Sequence, residues 1–361
     1  MTDPTPKPKS ARRGWLLALK VLVTLSLLGW LVRQMVLRDG VDALLERASH
    51  LSPVWVVAAV ALHFGSASAG VLRWRTLLTA RGISQPWSVL FRSFFVGRFL
   101  GAFTPSTTGL DGYRLWDIGR RTNDYTTSGA VILVEKLVGL VGMATVCLAL
   151  LPFGLLERLG MIGVLVAVGM ASVALVGLFV LSSPARASAI ARLMPGPLRG
   201  RATKLAEALA GGISMKTLAI ALGLGIVSHA CLSATFAASG LAVGIALPPL
   251  ALLAVGNAIV ISVLLPVSIG GVGVREGVAV ALLVSAGDGT VTTTDAMLLA
   301  LVGYLTGQAP ALVGGAWLAL SRDGARPETP ALASPAASSP VASSTGIASS
   351  TLASNSAIAS A

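Results

Sequence analysis

The sequence is poor in charge. Of its 361 residues only 12% are Asp, Glu, Lys or Arg, about half the share of an ordinary soluble domain. Paired with 54% hydrophobic residues and a mean hydropathy of +0.82, that scarcity excludes an ordinary cytosolic enzyme. Cysteine is almost missing. Cys147 and Cys231 both lie inside apolar runs, so a disulfide scaffold is excluded. The 40 glycines follow no triplet period, which excludes a collagen-like chain. HExxH, CxxC, P-loop and GxSxG motifs are absent, so no catalytic site, metal or cofactor is expected. The net charge of +12 is not gathered into a soluble basic domain, and nucleic acid is not an expected partner. In a membrane protein a basic excess collects on the cytoplasmic side, against anionic lipid.

What the chain does have is a succession of apolar runs of roughly 20 residues, each long enough to cross a bilayer. The expected fold is an all-α polytopic membrane protein with about six transmembrane helices and two re-entrant helical hairpins in inverted repeats. A polar, Pro-rich tail (1–13) is followed by an apolar run from Trp15 to Leu37, too long for a signal-peptide core and without a small-residue cleavage site, hence a retained first span. Span 2 opens at Ser52-Pro53, an N-cap followed by proline, and runs to about Leu78. Spans 3 and 4 cover Thr126–Leu151 and Gly160–Leu181, span 5 Thr217–Gly240, and span 6 Ala296–Leu320 behind a Thr294-Asp295 cap. The chain thus divides into a cytoplasmic tail (1–13), a first membrane half (14–182) with a hairpin at 88–122, a basic cytoplasmic loop (183–216), a second membrane half (217–321) with a hairpin at 248–287, and an Ala/Ser/Pro-rich tail (322–361). That last segment has too little large apolar side chain to build a core and is expected to be disordered, with no room for a further soluble domain.

Orientation follows from the basic residues flanking the spans. With the N-terminal tail inside and each hairpin returning to the side it left, seventeen Lys and Arg fall on the cytoplasmic side and three (Arg38, Arg47, Arg158) on the outer side. Both termini are therefore expected in the cytoplasm and the protein in the cell (inner) membrane.

The two hairpins share a pattern. Pro105-x3-Gly109-x2-Gly112-x-Arg114 repeats as Pro266-x3-Gly270-x2-Gly273-x-Arg275, at a constant offset of 161 residues. Gly97 and Gly101 align with Ala258 and Ser262. Three spans separate the hairpins, so one enters from the cytoplasm and the other from outside. Transporters built from inverted repeats bring such broken helices together near the bilayer midplane. Proline ends the first half-helix; glycines permit the reversal, including positive φ. The returning half-helix is expected to begin near Tyr113 in one copy and Val274 in the other. Its amides and dipole attract an anion, yet an arginine sits in that first turn. Two readings stay open: Arg114 and Arg275 meet a negative ligand, or they pair permanently, Arg114 with Asp111, Asp117 or Glu135 and Arg275 with Glu276.

Glu135-Lys136, about three turns into span 3, place at least one charge toward the protein interior, and Glu135 is a candidate for proton coupling or arginine pairing. Arg73-Trp74-Arg75, at the cytoplasmic end of span 2, suit either snorkelling anchors or headgroup contacts. His63 and His229 read as packed, hydrogen-bonded histidines.

Four segments, LRWRTLL (72–78), FFVGRFLGAFTPSTTGLDGYRLW (94–116), VEKLVGL (134–140) and LPVSIGGVGVREG (265–277), together resemble the transmembrane region of the lysylphosphatidylglycerol synthase/flippase family, over about residues 60–320. The resemblance implies an inner-membrane protein that moves or binds a lipid with a polar or charged headgroup. Two-domain members of that family carry a soluble C-terminal synthase domain, which this chain is expected to lack. The family's charged positions carry over onto Arg73, Arg75, Arg114, Glu135, Arg275 and Glu276. One departure bears on Asp111: the first hairpin reads TTGLDGYR, where the family more often has a Gly-Asp pair close to the turn.

The resulting expectation is a flippase-like transporter, not an enzyme, that moves or binds a lipid with a phosphate-bearing headgroup. Substrate contacts fall on Arg73, Arg75, Gly109, Gly112, Arg114, Gly270, Gly273, Arg275 and Glu276, with Glu135 and Asp111 as coupling or pairing groups. The candidate lipids are aminoacyl-phospholipids, polyprenyl-phosphate carriers and hopanoid-type lipids. The alternative is a non-transporting partner that presents a lipid to a separate synthase or glycosyltransferase.

Overall fold

The computed structural model describes residues 40–102, 104, 108–181, 183–193, 195–208, 213–264, 271–285 and 289–322, with Gly29 and Arg33 besides. Predicted span 1, both terminal tails, Pro105, Pro266 and Gly270 lie outside the described residues. Every regular element among those described is helical. They are α1 (Gly40–Ser49), α2 (Pro53–Ala80), α3 (Trp87–Ala102), α4 (Thr108–Thr122), α5 (Tyr125–Leu150), α6 (Leu155–Leu181), α7 (Pro184–Leu193), α8 (Gly196–Ala208), α9 (Met215–Val243), α10 (Pro249–Ser262), α11 (Val274–Val280), α12 (Thr293–Gly307) and α13 (Ala309–Arg322). Among the described residues five stretches are long and apolar enough to cross a bilayer: Pro53–Ala80, Tyr125–Phe153, Leu159–Leu181, Met215–Val243 and Thr293–Leu320.

Local chemistry sets the helix ends. Ser52 is the N-cap of α2 with Pro53 behind it, although its hydroxyl makes no capping bond. Asp124 caps α5 by accepting the Thr127 amide at 2.9 Å, and Ser214 caps α9 by accepting the Thr217 amide at 3.1 Å. The cap of α12 is Thr292, not Thr294-Asp295. Asp295 is instead the third helical residue and returns a bond to the Thr292 amide, which closes a capping box. The predicted last span is also not one continuous helix. Pro310 has no amide for the Thr306 carbonyl, and the helix is interrupted at Gln308, between α12 and α13. After the interruption α13 packs on α3, where Gly314 and Gly315 meet Phe95 and Phe99. The segment 183–216, read as a loop, contains α7 and α8. Its prolines start helices, Pro184 as the first residue of α7 and Pro197 as the second of α8, positions where the missing amide is no loss.

A long helix followed by two shorter ones occurs twice (α2-α3-α4 and α9-α10-α11); the single long helix α5 follows the first set, and the two shorter helices α12 and α13 follow the second. Two apolar clusters form the core, and each draws on both halves: the first takes in Ala221 of α9, the second Met143 and Cys147 of α5. One cluster joins Val71, Leu77, Leu90, Phe94, Ile118 and Val134; the other joins Phe236, Leu252, Ile259, Leu283 and Leu299. Helices α2 and α9 form the seam, packed closely where Ser66 meets Ser228 and Gly65 lies beside Cys231. Small residues of this kind let two helix backbones approach. By contrast α6 stands out toward hydrocarbon, with Met161, Ile162, Leu165 and Val173 all exposed, as a lipid-solvated helix must.

Candidate functional site

At the seam between the two cores lies a cavity of about 550 Å³. Apolar packing stops there. Five cations (Arg73, Arg98, Arg114, Arg275 and Lys136) and two carboxylates (Asp111 and Glu135) line its wall. A charge at mid-bilayer costs about 2.5–3.5 kcal/mol on insertion scales, so this concentration is retained only where partners or a ligand offset it.

Partners account for one side. Glu135 on α5 accepts a bond from Arg114 at 2.8 Å and one from Arg73 at 3.2 Å. Asp111 pairs with Arg114 at 2.7 Å and with Lys136 at 2.5 Å. Arg114 also stacks over Trp74, 4.8 Å from its ring centre, and over Phe94 at 5.2 Å. Three helices are thereby tied together: α2 through Arg73, α4 through Asp111 and Arg114, α5 through Glu135 and Lys136. Of the two roles open to Glu135, its contacts fill that of arginine partner. Asp117, the third acid weighed for Arg114, is bound instead to Arg121 at 3.0 Å.

The opposite side differs. Arg275 enters from the first turn of α11, its guanidinium 4.0 Å above the Tyr304 ring. The nearest acid is Glu276 at 3.9 Å. That carboxylate already accepts the Gly273 amide at 2.6 Å, which satisfies a free donor at the start of α11. Gly273 has φ 83°, where glycine avoids the clash a Cβ brings, so its role here is to start the helix. His63 lies in the same region: its Nε2 donates to the Gly303 carbonyl at 3.1 Å. His229 also lines the cavity, beside Gly139 of α5.

The remaining predicted site residues among those described do not line the cavity. Arg75 stacks on Trp87 at 4.0 Å. Helix α4 begins at Thr108 rather than near Tyr113, so Gly109 and Gly112 are helical and neither has positive φ. Gly109 donates its amide to Thr104 Oγ1 at 2.9 Å and lies against Gly101, which lets α3 and α4 approach. Gly112 is exposed with open space beside it. Arg114 therefore sits in the second turn of its helix and Arg275 in the first. The cavity also contains a residue not assigned to it from sequence: Arg98, visible only as a charge interrupting an apolar run.

Fold and site together define a polytopic helical membrane protein with a cationic cavity between two similarly built halves. Residues 17–315 match the family described as Lysylphosphatidylglycerol synthase TM region, and the chain belongs to that family. No curated protein matches it.

Proposed function

We propose that this protein moves a lipid with an anionic, phosphate-bearing headgroup between leaflets of the cell (inner) membrane, with both termini cytoplasmic. The headgroup would pass through the cavity while the tails stay in hydrocarbon, because only the headgroup must shed water to cross. The observation that carries this reading is the excess of cations over carboxylates in a 550 Å³ space between two apolar cores. Family membership supports it. The α3–α4 and α10–α11 pairs would dip into the bilayer from opposite faces, as broken helices do in inverted-repeat transporters.

The test is leaflet exchange in vesicles reconstituted with the purified chain and fluorescent phosphatidic acid or phosphatidylglycerol. Exchange above protein-free vesicles, reduced by Arg275→Gln, supports the proposal. Saturable lipid binding with no exchange would favour the alternative, a partner that presents lipid to a separate enzyme. Neither binding nor exchange would reject both.

A further inference from the structure

Arg114 and Arg275 hold the same position in the repeated sequence motif, but their charges are compensated unequally. Arg114 has two carboxylates within 2.8 Å. Arg275 is 6% exposed, has one acid at 3.9 Å, and keeps Nε and Nη2 without a hydrogen-bond partner. The sequence of the facing helix explains the difference. Helix α5 carries Glu135 at mid-length, whereas the only acid of α12 is Asp295 in its first turn, engaged with Thr292 and, at 3.5 Å, with Arg47.

Arg98 adds to this imbalance. It projects from α3 to a long 3.5 Å contact with the Gly307 carbonyl, and among the described residues it forms no ion pair. The matching position in the second half is Ile259, so the charge has no counterpart. Tyr304, beneath Arg275, and Gly307, beside Arg98, are three residues apart on α12 and share a face. Arg98, Leu110, Gly307 and Gln308 also line a smaller recess adjoining the main cavity. Two guanidiniums from different halves therefore flank one face of α12, while both cavity carboxylates are engaged on the other side.

We propose that Arg98 and Arg275 form a two-armed clamp for a lipid phosphate monoester or diphosphate, and that Arg73, Arg114, Lys136, Asp111 and Glu135 are its structural support. Guanidinium donates two parallel hydrogen bonds to phosphate oxygens, and a group with two or more negative charges answers two under-compensated cations. An aminoacylated headgroup brings an ammonium for which no disengaged carboxylate is at hand, since using Asp111 or Glu135 would take an acid from a buried arginine. This inference rests on the lipid-headgroup reading above and narrows its substrate class.

The purified full chain in detergent is titrated with phosphatidic acid, lysylphosphatidylglycerol and inorganic phosphate, with ligand-induced thermal stabilisation as the readout. Phosphatidic acid is expected to bind on the order of tenfold tighter than lysylphosphatidylglycerol. Arg98→Gln and Arg275→Gln are each expected to weaken it on the order of tenfold or more. Arg98→Lys, which keeps the charge but not the fork, falls between and serves if Arg98→Gln does not fold. Wild-type affinity for phosphatidic acid in both glutamine variants overturns the clamp and leaves the transport reading standing. Equal affinity for inorganic phosphate, lost in the same variants, keeps the clamp and overturns the lipid reading. Binding of neither phosphate probe by the wild-type chain overturns both.

Discussion

Ser66 and Ser228 touch: their hydroxyl oxygens lie 3.1 Å apart, and Ser228 also donates to the Ser66 carbonyl at 3.0 Å. They are 162 positions apart, within one residue of the hairpin offset. At the hairpin offset of 161 the position matching Ser66 is Val227, so the serine pair lies one residue out of register with that motif.

This contact can be locked. In a chain with Cys147 and Cys231 replaced by alanine, S66C/S228C is expected to form an internal disulfide under mild oxidation, seen as a mobility shift that a reductant reverses. The variants S66C and S228C alone should not shift. Failure of the double variant to cross-link would mean the α2–α9 seam is packed differently.

Glu135 holds Arg73 and Arg114 together, and its removal takes the acid from Arg73 and leaves Arg114 with Asp111. Glu135→Gln is expected to destabilise the folded protein by about 3–5 kcal/mol, the range for breaking one partner of a buried ion pair. Thermal denaturation in detergent measures it. Adding Arg114→Gln should recover part of the loss, because a charge left with one acid fewer is removed as well; strict additivity of the two substitutions would argue against a shared network.

Three glycines separate packing from conformation. In Gly109→Ala the new methyl would meet Thr104 Oγ1 at 2.6 Å and Gly101 Cα at 2.8 Å, so α3 and α4 must part and the melting temperature falls. Gly112→Ala has open space and should melt like the parent. Gly273→Ala places a side chain at φ 83° and is expected to cost about 1–3 kcal/mol from backbone strain alone. Equal melting temperatures for the Gly109 and Gly112 variants would contradict the close approach.

The two hairpins are expected to open to opposite faces. Exposed positions at their bases, Arg120 after the first and Ala246 before the second, serve as probes. With membrane-impermeant thiol reagents and a cysteine-free background, Arg120→Cys should label from the cytoplasm and Ala246→Cys from outside. Labelling of both from one face would refute the inverted arrangement.

Hydropathy and punctuation made much of this molecule readable from its sequence. A span is a local property, about 20 residues of one composition, and Ser52-Pro53 marks a helix start because proline suits the first helical position. The hairpin motif was visible for the same reason: proline and glycine constrain their own backbone. The errors were also local. In α7 and α8 proline began helices where it had suggested a loop, and α4 started five residues ahead of Tyr113 and took in the glycines expected to form its turn.

Membrane class and the five apolar spans among the described residues were legible in the sequence alone, because each depends on near neighbours in the chain. Compensation of charge was decided only by tertiary structure. Arg114 and Arg275 are identical in motif, yet one finds Glu135 on its facing helix and the other finds Tyr304. Arg98 meets a carbonyl 209 residues away. Which buried arginine is left with donors to offer depends on which helix faces meet, and long-range packing sets that.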